Sequence, residues 1–447
     1  MKRKPIALFL GFCMGAALLG GCETGGRAGT ANGTASDTEA VQTTGTQSEA
    51  AAKTGEAEKV TLHYYAWSEG DYLQEMVDAY NAASDSVYVE MTQVNSSEYD
   101  DKLMTMLAGT NDIDVFNMRS GSLLTNLGGS GNLVDITQMI SDSGMDISIY
   151  GTGYAETKVN DRFYGLPYRS SAFGLFYNKK IFDEKGIPYP DDLTWEEYAD
   201  LAKEMTEGEG SDKVYGGYIP DWSICPYMVI ESGSNLADDD LSAVRQWWEM
   251  LNRLYNIDNS HMSYTEMKST GTDAIHFFCS GKAAMYPGGE WSISDVLTML
   301  KNDPQIADHF ELGIAAIPQM KKGGEKMTIG GVSTFIGINA TSKKQEAAFD
   351  FISYMAGKDA AEIVAAAGAI PAYIDEEIIA VFEGAIGTGG AANLLDIAKT
   401  SENLFIPEYT ELQNIYKEEK ELYLIGEQSA EDAVKNFEER RAEVMNR

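Results

Sequence analysis

The segment VTLHYYAWSEGDYLQEMVDAYNAASDSVYVEMTQV (60–94) is the part of the chain that says most about its architecture. Its first eight residues are rich in β-branched and aromatic side chains, which favour strands. Residues 71–84 then repeat apolar side chains with a helical period, and residues 85–94 return to a strand-like pattern. The segment therefore predicts a strand, a helix and a second strand in succession.

The alternation continues on the C-terminal side of this segment. Residues 96–110 begin with serines suited to a helix N-cap, and DIDVFNM (112–118) predicts a third buried strand. The same alternation returns after residue 172, where Thr194 and Glu197 have the spacing of a capping box. Strands that alternate with helices in this way indicate an α/β fold with doubly wound sheets.

Composition limits the classes of ligand. The chain carries a formal net charge of −35, and a field of that sign repels nucleic acid and anionic substrates. It suits neutral or cationic ligands, although secreted proteins are also acidic for solubility alone. Residues 60–447 are enough for roughly two to three domains, and they contain no apolar run long enough to cross a bilayer.

The first residues have the features of an export signal. Three basic residues precede an apolar run that ends at Leu19-Gly20-Gly21-Cys22, which resembles the lipobox of bacterial lipoproteins. The resemblance implies a signal peptide over residues 1–21 and a lipid on Cys22, with an uncleaved membrane anchor as the alternative. Residues 22–58 are polar and contain no aromatic side chain, so we expect a disordered linker.

Cysteine and histidine form no metal or redox motif. Cys225 and Cys279 either form a disulfide or are two free buried thiols, and the sequence leaves both possibilities open. The four histidines are scattered without a ligand spacing. We therefore predict no metal centre and no cofactor, and leave the binding of a calcium ion open.

Nine segments carry a family resemblance. They are YYAW (64–67), DKLMTMLAGTNDIDVFNM (101–118), GNLVDIT (131–137), FYGLPYRSSAFGLFYNKKIF (163–182), LTWEEYADLAKEM (193–205), FCSGKAAMYPGGEW (278–291), LGIAAIPQ (312–319), GG (330–331) and TSKKQEAAFDFISYMAG (341–357). In this order they resemble the extracellular solute-binding proteins of ABC transporters, in particular the family-1, sugar-binding group typified by maltose-binding protein. The resemblance spans nearly all of residues 60–375.

This resemblance implies a two-lobe, periplasmic-binding-protein-like fold of type II, in which each lobe is a doubly wound sheet flanked by helices. The first lobe would comprise residues 59–167 and 282–326, and the second lobe residues 168–281 and 327–447. The family implies a monomeric receptor, lipid-anchored at the extracellular face of the bacterial membrane, with no catalytic activity and no nucleic-acid partner. It would capture a carbohydrate between the lobes and deliver it to the permease subunits of an ABC importer.

Candidate binding residues follow from the rule that ligands of doubly wound sheets sit beyond the carboxyl ends of the strands. A sugar has an apolar face that stacks on aromatic rings, and hydroxyl groups that bind carboxylates at the rim. The aromatic candidates are Trp67, Tyr168, Trp222 and Trp291, and the carboxylate candidates are Glu98, Asp114, Asp221 and Glu290. Trp195, Trp247 and Trp248 fall inside helical patterns, so we assign them to the core.

Two other functions fit parts of the pattern. A polyamine or a peptide would use the same fold, since aromatic side chains and rim carboxylates also bind a cationic solute. A surface glycoside hydrolase would need two carboxylates about 5.5 Å or 6.5–9.5 Å apart, and a chain with 69 acidic residues can supply such a pair. The chain has no GxSxG, SxxK, HExxH or GxxxxGK[ST] motif, which favours a binding protein over an enzyme.

Overall fold

The α/β class predicted from the sequence is confirmed by the computed structural model, which describes residues 59–109, 112–220, 227–401, 404, 406 and 408–446. The strands of this part are β1 (Val60–Trp67), β2 (Val87–Val94), β3 (Val115–Met118), β4 (Leu166–Asn178), β5 (Met285–Gly289), β6 (Leu312–Ala316), β7 (Met327–Ile338) and β8 (Ala398–Thr400). Its α-helices are α1 (Tyr72–Ala83), α2 (Tyr99–Ala108), α3 (Gly121–Gly129), α4 (Thr137–Ser143), α5 (Thr152–Ala155), α6 (Lys179–Lys185), α7 (Trp195–Met205), α8 (Tyr227–Glu231), α9 (Ser242–Asn252), α10 (Tyr264–Thr270), α11 (Ala274–Cys279), α12 (Trp291–Asn302), α13 (Gln345–Met355), α14 (Lys358–Ala366), α15 (Glu376–Ile386), α16 (Ala392–Leu395), α17 (Tyr409–Leu424) and α18 (Ala430–Met445).

Local sequence signals are confirmed where they are strongest. The predicted strand 60–67 is β1, and the predicted helix 71–84 contains α1. The predicted capping box begins α7, because the Thr194 side chain accepts a hydrogen bond from the Glu197 backbone and the Glu197 side chain accepts one from the Thr194 backbone. Each of these elements is therefore determined by its own residues.

The segment KVYGGYI (213–219), which has the composition of a strand, forms only isolated bridges at Val214 and Tyr215. Its backbone approaches α7 very closely, since a Cβ on Gly216 would lie 1.7 Å from the Ala202 carbonyl oxygen. Packing against a helix at this distance replaces regular strand pairing along the segment.

One mixed sheet of eight strands organises the described part of the chain. β1 pairs in parallel with β2, from Val60 opposite Val87 to Trp67 opposite Val94, and also in parallel with β3. β7 runs antiparallel to β3, and β4 runs antiparallel to β7. The order is β2-β1-β3-β7-β4-β5, with β6 also paired to β4 and β8 to β7. The carboxyl ends of β1 and β3 therefore lie at the same edge.

Two long strands cross between two separate hydrophobic cores. β4 leaves the first core after Tyr168 and enters the second core at Ala172. β7 runs in the other direction, from Ile329 in the second core to Phe335 in the first. Each lobe is built around one of these cores, so the backbone between them forms the connection between the lobes.

The second core contains the three tryptophans that the helical pattern assigns to it. Trp195 and Trp247 are each 1% exposed and Trp248 is 0% exposed, which confirms the prediction. Trp195 lies edge-on against Trp247 with ring centroids 4.9 Å apart, and it stacks on Tyr227 at 5.3 Å. These rings pack α7, α8 and α9 together.

The division of the chain between the lobes differs from the predicted boundaries. The sequence places residues 282–326 in the first lobe, but Met285 and Ile314 belong to the second core. The cause is non-local pairing, because β5 and β6 both pair with the second half of β4. Conversely, the first core receives part of residues 327–447, since β7 ends there and α13 packs on it through Phe351.

Several predictions concern residues outside the described ranges. These are the signal peptide (1–21), the lipid on Cys22 and the linker (22–58), together with the state of Cys225. Cys279 is buried, and burial raises the pKa of its thiol to about 12. Within the described ranges, the helices are too short or too polar to cross a membrane.

Candidate functional site

The candidate site lies where β4 and β7 pass between the two cores. Here Ser171 of β4 pairs with Gly331 of β7, and Arg169 pairs with Thr334. The register shifts on both sides of Arg169, which is the irregularity of a β-bulge and redirects the local side chains. Gly331 has a φ of +103°, a conformation that side chains other than glycine rarely adopt.

An arginine in this passage binds carboxylates from both lobes. Arg169 donates through Nη1 to Glu69 Oε1 at 3.1 Å and to the Tyr72 hydroxyl at 2.8 Å, and through Nη2 to Glu290 Oε1. Glu69 and Tyr72 follow β1 in the first lobe, whereas Glu290 precedes α12 in the second. We refer to Glu69, Tyr72, Tyr168, Arg169 and Glu290 as the Arg169 network.

The ionic part of this network is buried. Arg169 is 5% exposed and Glu290 is 0% exposed, and the Glu69 side chain is almost as well covered. Burial raises the pKa of the Glu290 carboxyl, while the adjacent Arg169 guanidinium acts to lower it. A buried carboxylate that lost this guanidinium would carry an uncompensated charge, which is strongly unfavourable.

A chain of hydrogen bonds extends the network into the sheet of the first lobe. The Tyr168 hydroxyl donates to Glu69 Oε2 at 2.7 Å and accepts from Asn117 Nδ2 at 2.8 Å. The Tyr64 hydroxyl donates to Asn117 Oδ1 at 2.8 Å. Burial raises the pKa of Tyr64 and of Tyr168 well above the ordinary value, so both hydroxyls remain protonated donors.

Trp67 ends β1 two residues before Glu69, and it lies mostly beneath other side chains. It is 7% exposed, with its ring edge-on to Tyr99 at 5.1 Å. The Arg119 guanidinium lies 4.9 Å from the centroid of the Trp67 ring. Arg119 is itself held by Asp100 Oδ1 at 3.1 Å and by the Ser96 carbonyl at 2.9 Å. The partly exposed Arg119 therefore covers this tryptophan.

Trp291 is the first residue of α12 and directly follows Glu290. Its ring is partly exposed and lies edge-on to Phe173, with ring centroids 5.3 Å apart and an angle of 89°. The first lobe approaches the same helix, because a Cβ on Gly70 would lie 3.8 Å from Ser294 Oγ. The loop after β1 and the start of α12 thus meet at the passage between the lobes.

Asp295 lies one helical turn after Trp291 and adds a carboxylate to this part of α12. Its side chain reaches solvent, yet the surrounding protein and the nearby Asp273 raise its pKa to about 6. Arg169 acts in the opposite direction on the same group. A carboxylate at this position therefore lies exposed on α12 and is partly protonated near pH 6.

The structure places two of the residues predicted from the sequence in the Arg169 network and two others within two residues of it along the chain. Tyr168 and Glu290 belong to the Arg169 network, Trp291 follows Glu290, and Trp67 precedes Glu69 by two residues. Tyr168 is 1% exposed, so its contribution is to orient the Glu69 carboxylate rather than to offer a ring surface.

Two predicted carboxylates lie elsewhere. Glu98 is exposed and pairs with Lys102 at 2.6 Å on its own helix, where it makes no contact with the network. Asp114 directly precedes β3, which begins at Val115, so it lies at the amino end of the strand and not beyond its carboxyl end. The rule that selects carboxyl ends of strands therefore does not apply to Asp114.

Asp114 is buried at the opposite end of β3 and has structural partners. Its carboxylate accepts from Ser342 Oγ at 2.6 Å, from Lys344 Nζ at 2.8 Å and from the His63 backbone N–H at 3.0 Å. These bonds join β1 and β3 to the segment before α13. The other two candidates, Asp221 and Trp222, lie outside the described residues.

Sequence reasoning missed Glu69, Arg169, Arg119 and Asp295. One signal was available for Arg169, since it is the one charged residue in β4, a strand whose thirteen residues are all buried. Glu69 follows the carboxyl end of β1, as the general rule requires. No cluster of three or more His, Cys, Asp or Glu in the described ranges is arranged to hold a metal ion.

Comparisons with known proteins agree on one family. A model of the bacterial extracellular solute-binding protein family matches residues 75–375. A multiple sugar-binding protein from Streptococcus mutans is 26% identical over 217 residues, which are 45% of this chain and 49% of that protein. An arabinooligosaccharide-binding protein from Halalkalibacterium halodurans is 26% identical over 203 residues, or 43% of either chain. The chain spans about half the length of the curated relatives it matches.

A solved structure shares the fold over nearly its whole length. The structure of a sugar transporter protein from Rhizobium etli, in an open conformation, has a TM-score of 0.72 and 26% sequence identity. The similarity covers 86% of this chain and 99% of that chain. The two-lobe α/β fold implied by the sequence resemblance is thereby confirmed.

Proposed function

The chain belongs to the family of bacterial extracellular solute-binding proteins, and on this premise we propose that it captures a sugar or oligosaccharide between its two lobes. One observation carries the proposal. Arg169 binds Glu69, two residues after Trp67, and Glu290, one residue before Trp291. Residues close in sequence to one tryptophan from each lobe are therefore bound to a single guanidinium at the passage between the lobes.

The residues around this point have the chemistry that an uncharged sugar needs. The partly exposed Trp291 ring offers a flat apolar surface to the C–H face of a pyranose or furanose. The partly exposed Arg119 guanidinium and the Asp295 carboxylate offer a donor and an acceptor to its hydroxyl groups. Asp221 and Trp222, which lie outside the described residues, remain candidates from the sequence.

The named relatives support a carbohydrate as the solute. Two of them are a multiple sugar-binding protein and an arabinooligosaccharide-binding protein, and the similar solved structure is described as a sugar transporter. Binding to both lobes at once would favour a closed form over an open one, because a ligand shifts an equilibrium only through its differential affinity for the two states.

The finer proposal concerns the location and the partners of the protein. A lipid on Cys22 would hold it at the extracellular face of the bacterial membrane, and residues 22–58 would let the lobes turn freely. The closed, loaded form would then be presented to the permease subunits of an ABC importer by a monomeric receptor. This proposal rests on the lipobox-like sequence and on the family.

We propose no catalytic role for the carboxylates of the network. A glycoside hydrolase needs one carboxyl group to act as an acid and a second carboxylate to act as a nucleophile or base. Glu69 and Glu290 are buried and share the same guanidinium, which commits both to structure. A polyamine remains the competing solute because the net charge is −35 and Asp295 is exposed near the site.

A thermal-shift screen of the full chain tests the proposal. Neutral mono- and oligosaccharides, including arabinotriose, are compared with spermidine at equal concentrations, and each hit is confirmed by calorimetric titration. We expect a neutral sugar to raise the melting temperature, since a ligand that binds only the native state stabilises it. The recovered sugar should be intact by mass spectrometry. A response to spermidine alone, or cleavage of the sugar, would contradict the proposal.

A further inference from the structure

We propose that Arg169 is a positioning residue that holds the two walls of the candidate site in register. The walls are the loop after β1, which carries Glu69, and the start of α12, which follows Glu290. This inference concerns the geometry of the lobes and stands without a ligand. Its consequence for sugar affinity rests on the proposed function.

The backbone around Arg169 is where the lobes are joined. β4 changes from the first core to the second between Tyr168 and Ala172, and the β-bulge lies at Arg169 itself. The facing strand has Gly330 and Gly331 at the same level. A Cβ on Gly330 would lie 2.2 Å from the Ser171 carbonyl oxygen, so the two crossing strands pack here too closely for a side chain at this position.

The bonds of Arg169 reach to both sides of this junction. On the first-lobe side it binds Glu69 and the Tyr72 hydroxyl, and on the second-lobe side it binds Glu290. A rotation of one lobe against the other about β4 and β7 would pull Glu69 and Glu290 apart. One of the two carboxylates would then leave the guanidinium.

The charges make this separation costly. One cation is shared by two carboxylates, and all three groups are buried. Because a buried carboxylate without a partner is strongly destabilised, the arrangement in which Arg169 binds both is favoured over one in which it binds either alone. The guanidinium is suited to this role, since its planar set of donors can bind two carboxylates in fixed directions, unlike the ammonium group of lysine.

The remaining hydrogen bonds extend the effect to the site. Tyr168 orients the second oxygen of Glu69, and Asn117 orients Tyr168 from β3. Glu290 is the residue before Trp291, so its bond to Arg169 fixes the start of the helix that presents the ring. Arg169 therefore determines where the two walls lie relative to each other without touching the solute.

Replacement of Arg169 by methionine tests the inference in the absence of sugar. Small-angle X-ray scattering of the full chain should show a larger radius of gyration for Arg169→Met than for the wild type, because two unpaired buried carboxylates repel and admit water. Arg169→Lys should restore part of the change, since it keeps the charge but not the planar donors. If Arg169→Met does not fold, Glu69→Gln and Glu290→Gln each release one wall and should show the same enlargement.

The matched control is Arg440→Met. Arg440 also binds two carboxylates, Glu419 at 2.7 Å and Glu418 at 2.6 Å, but all three residues lie on α17 and α18 in the second lobe. This variant should lose stability and keep the wild-type scattering profile. Equal profiles for the wild type and Arg169→Met, or for the wild type and both Gln variants, would overturn the inference. An enlargement in Arg440→Met equal to that in Arg169→Met would also overturn it.

Sugar affinity provides the second readout. If Arg169→Met lowers the fraction of molecules with correctly placed walls to about a tenth, the dissociation constant for arabinotriose should rise about tenfold. The Arg440→Met variant should bind as the wild type does. If the wild type binds no sugar but Arg169→Met still changes the scattering, the proposed function fails and the positioning role stands. If the wild type binds arabinotriose and Arg169→Met binds it equally well, the positioning role fails.

Discussion

Replacement of Asp114 by alanine separates a structural carboxylate from a ligand-binding one. The Asp114 carboxylate accepts three hydrogen bonds, from Ser342, Lys344 and the His63 backbone. Hydrogen bonds to a charged group contribute about 1.5–3 kcal/mol each, and the loss of all three sets an upper limit near 9 kcal/mol. The Lys344 side chain is 36% exposed, so water replaces much of its bond. We therefore expect Asp114→Ala to lower the free energy of unfolding by about 3 kcal/mol.

The Asp114→Asn variant gives an intermediate step. Its amide can turn Nδ2 toward the Ser342 hydroxyl, which can accept, and keep an oxygen toward Lys344. Only the charge is then lost, and a decrease of about 1 kcal/mol is expected. Urea unfolding measures both variants, and calorimetry measures their sugar affinity.

Sugar affinity should remain within about twofold of the wild type in both variants, because Asp114 lies at the amino end of β3 and the candidate site at the other end. Glu98→Ala is the control for an exposed carboxylate paired with Lys102, and it should leave stability unchanged. A variant of Asp114 that lost sugar binding while keeping wild-type stability would refute the reasoning.

Three further substitutions probe the site. Trp291→Ala should weaken sugar binding roughly tenfold to hundredfold in calorimetry, since covering one aromatic ring contributes about 1.5–3 kcal/mol, with little change in the stability of the unliganded protein. The control Tyr189→Ala, which removes a 44% exposed ring that lies against Tyr177, should bind sugar as the wild type does. Equal binding by both variants would contradict the role of Trp291. Arg119→Met should make the Trp67 ring accessible to quenching of its fluorescence by iodide, and it should lower the free energy of unfolding by about 1 kcal/mol. Unchanged quenching would contradict the conclusion that Arg119 covers Trp67. Asp295 has a folded-state pKa of about 6, above that of an aspartate in the unfolded chain. Between about pH 4 and pH 6 the folded state therefore binds a proton that the unfolded state has lost, and the free energy of unfolding falls as pH rises. Asp295→Asn should remove about 1 kcal/mol of this decrease, after allowance for solvent screening of an exposed group, and identical pH profiles for variant and wild type would contradict the raised pKa of Asp295.

Local patterns determined the elements that could be predicted. The β-branched and aromatic composition located β1, and the helical period of apolar side chains located α1. The spacing of Thr194 and Glu197 located the start of α7. These signals depend on residues within a few positions of one another, which a sequence displays directly. The tryptophans of the second core followed from the same helical period.

The lobe boundaries depended on pairing between distant parts of the chain. β5 and β6 join the second lobe because they pair with β4, more than one hundred residues earlier, and nothing within residues 282–326 encodes that partner. Asp114 was misassigned for a smaller reason: it lies near the amino end both of the predicted strand (112–118) and of β3, whereas the rule for ligand sites requires the carboxyl end.

The charged residues of the network were the hardest to anticipate. Glu69 is one of 69 acidic residues in the chain, and no local pattern distinguishes a buried carboxylate from the exposed majority. Its burial follows from Arg169, one hundred positions away, and that of Glu290 follows from the same arginine. A buried charge in a strand as apolar as β4 is the kind of local signal that could direct a search for such partners.

Hydrogen–deuterium exchange with and without a bound neutral sugar tests most directly whether the solute lies between the lobes. The account predicts slower exchange in three regions at once: the loop after β1, the passage around Arg169, and the start of α12. Regions beyond the opposite end of β3, around Asp114 and Lys344, should exchange at the same rate in both samples. Protection confined to one lobe, or centred on Asp114, would contradict the account.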